Sequence, residues 1–169
     1  MSLGYEEHMK QARINLNCAV VTVSDTRSKE NDGSGRIIIE GLEINGHRVR
    51  DYIIVPDSLV GIRAAVSGLL EREGVDVIII NGGTGITRRD VSVEALEPLM
   101  DKKLDGFGEL FRFLSYQEIG PAAIMSRAIG GLAGGKVLLC LPGSSGAVRL
   151  AMEKIIIPQI GHMVLEAGK

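Results

Sequence analysis

Tryptophan is absent from the 169 residues, and the aromatic complement is three Phe and three Tyr. Cysteine occurs twice, as Cys18 and Cys140, each inside an apolar run and with no CxxC spacing. This excludes a disulfide scaffold and fits a reducing compartment, with both thiols packed as small hydrophobes. The three histidines, His8, His47 and His162, cluster neither with each other nor with cysteine. A structural zinc site is therefore not expected. No block of basic residues exists, and 19 Lys and Arg against 21 Asp and Glu leave a net charge of −2. Binding to nucleic acid or to a membrane surface through bulk charge is excluded on that balance. No apolar run approaches the ~18 residues that span a bilayer, and no apolar h-region opens the chain, so neither a transmembrane helix nor a signal peptide is expected. Disorder is excluded for most of the chain by 45% hydrophobic and 24% charged residues.

What is abundant is glycine, 22 residues, or about 13% against a usual ~7%. No G-X-Y period accompanies it, so it reads as many tight turns. The length corresponds to roughly one domain. Residues 1–15 are polar and aperiodic and read as a flexible N-terminal arm, and 16–169 read as one domain. Cys18–Ser24 is short, apolar and β-branched, which predicts a buried strand. A polar loop from Asp25 to Gly35 follows, then a helix carrying Ile37, Ile38, Leu42 and Ile44 that Asn45-Gly46 stops. Further strands are predicted at Val49–Val55, Val75–Ile80 and Lys136–Leu141. Between them, Ser58 is placed to cap a helix bearing Leu59, Ile62, Val66, Leu69 and Leu70, and Ser92 to cap the next. A last helix runs from Ala147, with Pro158 limiting or kinking it. Asp101–Gly135 breaks the alternation and reads as a loop, a short helix and an irregular hairpin around Gly130-Gly131. The whole predicts an α/β three-layer sandwich, a mostly parallel sheet covered by helices on both faces.

Four predicted strands end in polar or glycine clusters: Ser24-Asp25, Pro56-Asp57, Asn81-Gly82-Gly83-Thr84-Gly85 and Pro142-Gly143-Ser144. Strand-to-helix turns use Gly, Pro and Asp in any case, but open parallel sheets bind ligands outside the carboxyl ends of their strands. Gly82–Gly85 is the strongest of the four, since glycine lets successive N–H groups face one concavity suited to phosphate. Arg88 and Arg89 supply counter-charge, whereas Asp90 beside an anion loop calls for a cation, and magnesium bridging carboxylate and phosphate satisfies both. Asp57 is a second carboxylate at a strand end, or a plain turn residue after Pro56. Pro142–Gly146 leads into a helix N-terminus, which is either an anion site or ordinary capping by Ser144 or Ser145.

Other patterns fail on inspection. Gly130–Val137 has P-loop spacing, but Val137 stands where Ser or Thr must bind magnesium, and Lys136 opens a strand. Gly33-Ser34-Gly35 and Gly83-Thr84-Gly85 lack the third glycine of a dinucleotide fingerprint, and Gly143-Ser144-Ser145-Gly146 is not a nucleophile elbow. Nucleophilic catalysis by a side chain is disfavoured; positioning with a metal is favoured.

Taken together, Val23-Ser24-Asp25-Thr26-Arg27, Asp32-Gly33-Ser34-Gly35, Val55-Pro56-Asp57, Gly82–Gly85 with Arg89-Asp90-Val91, Gly106-Phe107-Gly108-Glu109, Ser126-Arg127-Ala128 and Leu141-Pro142-Gly143-Ser144 form a specific series. It resembles the molybdenum cofactor biosynthesis proteins of the MoaB/MogA type, the molybdopterin adenylyltransferases, with Pro142-Gly143-Ser144 closer to the MoaB branch. The resemblance implies a cytoplasmic homotrimer or homohexamer that transfers an adenylyl group from Mg-ATP to molybdopterin. It implies Asp57 and Asp90 as catalytic residues and magnesium ligands. It further implies Asp25, Gly82, Gly83, Thr84, Gly85, Ser126, Arg127, Pro142, Gly143 and Ser144 as substrate or nucleotide contacts, and other proteins of the pathway as partners. Two alternatives remain open: a non-catalytic pterin-binding or docking protein, and, more weakly, the related domain of nicotinamide-nucleotide enzymes.

Overall fold

A computed structural model describes residues 15–169; the arm expected over 1–15 lies, Asn15 apart, outside the described residues. The strands are β1 (Asn17–Val23), β2 (Arg48–Val55), β3 (Val77–Asn81), β4 (Lys102–Lys103), β5 (Ile129–Ala133) and β6 (Lys136–Leu141). The helices are α1 (Gly33–Ile44), α2 (Leu59–Glu71), α3 (Ser92–Leu96), α4 (Asp105–Ile119), α5 (Ser145–Ala151) and α6 (Ile157–Ala167). One six-stranded sheet has the order β2-β1-β3-β6-β5-β4. The first four of these strands run parallel, β5 adds antiparallel to β6, and β4 adds antiparallel to β5. This is the expected α/β sandwich.

Alternation within each strand divides the core. Cys18, Val20, Val77, Ile79, Val137, Leu139 and Leu141 face α1, α4, α5 and α6, together with Ile38, Leu42, Phe107, Phe111 and Ile160. Ala19, Val21, Val23, Ile78, Ile80, Leu138 and Cys140 face α2 and α3, with Ile62, Val66 and Leu96. Strands buried on both faces need no polar alternation, which explains their unbroken apolar runs. The two exceptions are informative: Thr22 and Asn81 are fully buried polar residues near the carboxyl ends of β1 and β3.

Local chemistry sets most boundaries. Ser58 caps α2 by accepting from Gly61 N–H at 3.3 Å. Asp32 caps α1 through Gly35 N–H at 3.0 Å, so that helix begins inside the stretch expected to be loop. Ser92 does not cap α3; it is the first helical residue, and its hydroxyl donates to Gly82 O at 2.8 Å. The stretch expected to hold a short helix contains the 15-residue α4. The hairpin turns at Gly134-Gly135, with φ of +54° and +74°, and not at Gly130-Gly131, which lie within β5. The last helix does not stop at Pro158, but its regular ladder is interrupted just before it: a π-turn at Met152–Ile156 separates α5 from α6, and Pro158 stands in the first turn of α6, where a missing N–H is tolerated. Lys136 opens β6 at the far end of the sheet, where its ammonium bonds Leu69 O and Arg72 O at the end of α2. No helix among the described residues is long and apolar enough to cross a membrane.

Candidate functional site

The chain leaves β1 for α1 on one face and leaves β2 for α2 on the other, so the connections diverge at the carboxyl ends of β1 and β3. This is a topological switch point, the place where open α/β sheets hold ligands. All four polar strand ends gather there. Gly82 N–H donates to Leu141 O at 3.0 Å, Asp57 N–H donates to Asp25 Oδ1 at 3.1 Å, and Ser24 N–H donates to Val55 O at 2.9 Å. A methyl group on Gly143 would lie 3.1 Å from Gly82 Cα, so the Pro142–Ser144 turn is stacked directly on the glycine loop.

Glycine is required at the start of that loop. Gly82 and Gly83 have φ of +101° and +64°, and a Cβ on Gly82 would lie 2.3 Å from Val23 O. Asp90 reaches back beneath the loop. Its Oδ2 accepts from Thr87 N–H at 2.9 Å and Thr87 Oγ1–H at 2.6 Å. Burial acts to raise the Asp90 pKa but is outweighed by these bonds, by a Gly85 N–H bond and by Arg127, so the carboxyl sits below its ordinary range. Asp57 shows the opposite shift, raised by burial and then by the negative charge of Asp90. The two carboxylates thus share one electrostatic site. Among the described residues no third acidic, His or Cys group joins them. Two hard oxygen donors set against the glycine loop fit magnesium, which keeps waters and takes phosphate oxygens for the rest of its shell.

The remaining expected contacts separate into groups. Asp25 bridges, its Oδ2 paired with Arg89 and its Oδ1 with the Asp57 amide. Thr84 is buried and its carbonyl accepts from Arg127 Nε at 3.2 Å, so it shapes the loop from within. Arg127 is a clamp: Nε also donates to Gly85 O at 2.8 Å, one terminal nitrogen donates to Asp90 O at 2.8 Å, and the other pairs with Glu94. The Ser126 hydroxyl is buried and without a hydrogen-bond partner. Ser144 caps α5 by accepting from Ala147 N–H at 3.3 Å, and the Gly143 carbonyl accepts from Arg27 at 3.1 Å.

Sequence reasoning missed the network beneath the site. Asp32 is buried and accepts from Thr22 Oγ1 at 2.5 Å, Tyr52 Oη at 2.7 Å, Arg27 at 3.0 Å and Ser34 Oγ at 3.0 Å. Burial opposes its ionisation, yet the bonds from Thr22, Gly35, Tyr52 and Ser34 hold its pKa below the ordinary value. Burial, then the hydrogen bond to Asp32 and its charge, pushes the Tyr52 phenol up to about 12. Asn81 closes the network through Ser34 at 2.8 Å and Thr22 at 2.9 Å. The available signal was a threonine and an asparagine inside otherwise apolar strands.

Comparison with known proteins places this arrangement. Residues 19–162 match the family model described as a probable molybdopterin binding domain. The molybdenum cofactor biosynthesis protein B of Bacillus cereus is 53% identical over 165 residues, 97% of this chain and 98% of the relative. A crystal structure of a molybdenum cofactor biosynthesis protein B superposes with a TM-score of 0.90 at 52% identity, covering 93% of this chain and 98% of the other. The tungsten cofactor synthesizing protein MoaB from Pyrococcus furiosus superposes with a TM-score of 0.85 at 40% identity, covering 94% and 100%. A glycine loop at the switch point, flanked by two coupled carboxylates, is therefore that of a molybdenum cofactor biosynthesis protein, and the chain belongs to the molybdopterin-binding domain family, in its MoaB branch.

Proposed function

We propose that the protein catalyses magnesium-dependent adenylyl transfer from ATP to molybdopterin. The observation that carries this reading is the Asp57–Asp90 pair set against the Gly82–Gly85 loop. In the reaction a terminal phosphate oxygen of molybdopterin attacks the α-phosphorus of ATP, the bond to the bridging oxygen breaks, and pyrophosphate leaves with that electron pair. Such transfer needs in-line positioning and charge neutralisation rather than a side-chain nucleophile. Asp57 and Asp90 would hold magnesium, which neutralises phosphate charge when bound. The Gly82–Gly85 backbone and the Pro142–Ser144 turn hold and align the phosphates. Arg127 keeps the loop closed on Asp90, and Asp25 holds Asp57 and Arg89 in place.

Residues 16–169 act as one domain in this reading, working in the cytoplasm as a homo-oligomer. Support for self-association comes from α4 and the turn after it. Phe107 and Phe111 pack in the chain's own core, but Phe113, Tyr116, Ile119, Ile124 and Met125 are exposed together. Such apolar, aromatic surface is typical of interface cores.

One observation favours the second reading, a pterin-binding or docking protein without turnover: the Asp90 carboxylate already braces its own loop through Thr87. Magnesium-dependent pyrophosphate release from ATP and molybdopterin decides the matter. Turnover that falls at least ~10²-fold in Asp90→Asn supports catalysis. Pterin binding with no pyrophosphate release establishes the second reading.

A further inference from the structure

Gly143 is the loosest joint of the connection from β6 to α5. Proline fixes its own φ at position 142, and Ser144 is held by capping α5. Gly143 between them has the backbone freedom of a residue without a Cβ. It lies directly against the glycine loop, since a Cβ there would sit 3.1 Å from Gly82 Cα. The hydrogen bond from the loop to this connection, Gly82 N–H to Leu141 O, falls before the proline and leaves Gly143 to be held from elsewhere. Arg27 holds it. One terminal nitrogen of its guanidinium donates to Gly143 O at 3.1 Å, and the other donates to Asp32 Oδ1 at 3.0 Å and to Ser34 Oγ. The Arg27 backbone is tied as well, its N–H donating to Ser24 Oγ at 3.2 Å. The Asp32 side chain is wholly buried and is anchored in the sheet by Thr22 of β1 and Tyr52 of β2. Ser34 Oγ extends the same anchor to Asn81 Oδ1 at 2.8 Å, and Asn81 is the last residue before Gly82. One buried carboxylate thus ties down both turns, the glycine loop through Asn81 and the Pro142–Ser144 turn through the Arg27 fork.

We propose that Arg27 is a positioning residue, which fixes the Pro142–Ser144 turn over the Gly82–Gly85 loop so that the two turns move as one rigid body. Its hydrogen bonds run to protein groups, so it works through the turn and not on a ligand. A planar fork between two fixed acceptors sets an angle as well as a distance, which the compact ammonium of lysine does not. Phosphoryl chemistry by positioning is sensitive to a displacement of about 1 Å, even one that originates away from the reacting atoms. Loss of the fork therefore falls on the rate of the chemical step rather than on binding of the ground state.

The kinetic part of the test rests on the adenylyl-transfer reading above; the structural part does not. Amide hydrogen exchange of the full chain reads the structural part, at Gly82 N–H, bonded to Leu141 O, and at Ala147 N–H, bonded to Ser144 Oγ. Ile62 N–H, bonded to Ser58 O in α2, is the control. In Arg27→Met, Gly82 and Ala147 are expected to exchange roughly tenfold faster while Ile62 stays within about twofold. Pyrophosphate release is expected to show kcat lowered roughly tenfold with KM for ATP within about threefold. Arg27→Lys keeps the charge beside Asp32, so it is expected to keep the wild-type melting temperature yet to show the same faster exchange and lower kcat, and it carries the test where Arg27→Met does not fold. Unchanged exchange at Gly82 and Ala147 overturns the proposal, and so does an acceleration that Ile62 shares, which marks general loosening. Arg27→Lys with wild-type exchange and kcat also overturns it, because charge balance for Asp32 is then the whole role. Faster exchange with unchanged kcat shows a tie that positions nothing for the reaction. Wild-type protein that releases no pyrophosphate overturns the adenylyl-transfer reading alone, and the exchange rates then decide whether Arg27 holds the turn.

Discussion

Asp57 and Asp90 divide one site between opposite tendencies. Burial and the neighbouring charge make ionised Asp57 costly, whereas Thr87 and the loop amides keep Asp90 ionised. Asp57 must lose its proton to hold a cation, so the acid limb of magnesium-dependent activity is expected above the ordinary Asp value of 3.8. Asp90→Asn removes the repelling charge and is expected to shift metal-dependent binding at Asp57 toward lower pH, even as turnover collapses; a pH series of magnesium titrations checks this. A carboxyl whose folded pKa exceeds its unfolded one binds more protons when folded, so its contribution is lost as pH rises through that window. Asp57→Asn is therefore expected to hold or raise the melting temperature at neutral pH by up to about 2 °C while removing activity, a trade between stability and function. Arg127 shows the limit of sequence reading at this scale. Its place in the site was legible, but its role as a clamp depends on carbonyls of Thr84, Gly85 and Asp90 that only the fold brings to it.

Elements were legible in proportion to how one-sided or how continuous their apolar residues are. β1, β3 and β6 declared themselves because both of their faces are buried. α4 did not, because Phe107 and Phe111 point inward while Leu110, Phe113, Tyr116 and Ile119 are exposed, which blurs the stripe, and Gly106 and Gly108 lower helix propensity in its first turn. Gly130-Gly131 suggested a turn but serve close packing: a Cβ on Gly131 would lie 2.5 Å from Lys102 O, and one on Gly130 would lie 3.0 Å from Phe107. Two contrasts test this scale by melting temperature. Gly134→Ala meets nothing within 4 Å and carries only the cost of its positive φ, expected at about 1 kcal/mol, whereas Gly82→Ala drives a methyl into Val23 O and is expected to cost several times more and to abolish phosphate binding. Lys136→Ala removes a cation from the carbonyl end of α2 and is expected to cost about 1 kcal/mol, or 2–4 °C, while nucleotide affinity stays within threefold.

At the scale of the whole molecule, the exposed apolar band on α4 and the Gly120–Met125 turn has no counterpart elsewhere among the described residues. Light scattering at micromolar concentration is expected to return a multiple of 18.1 kDa, and Ile124→Glu with Phe113→Glu is expected to lower that mass toward one chain without lowering the stability of the monomer by more than about 1 kcal/mol. A monomer mass for the wild type refutes the association. The two cysteines have a further consequence. Cys18 lies in the layer under α1 and Cys140 in the layer under α2, and burial pushes both thiols up to about 12. Neither reacts until its own side of the sheet comes away, so each is a clock for one layer. Pulsed alkylation of Cys18→Ala and Cys140→Ala protein would show whether the two halves of the sandwich open as one unit or in sequence.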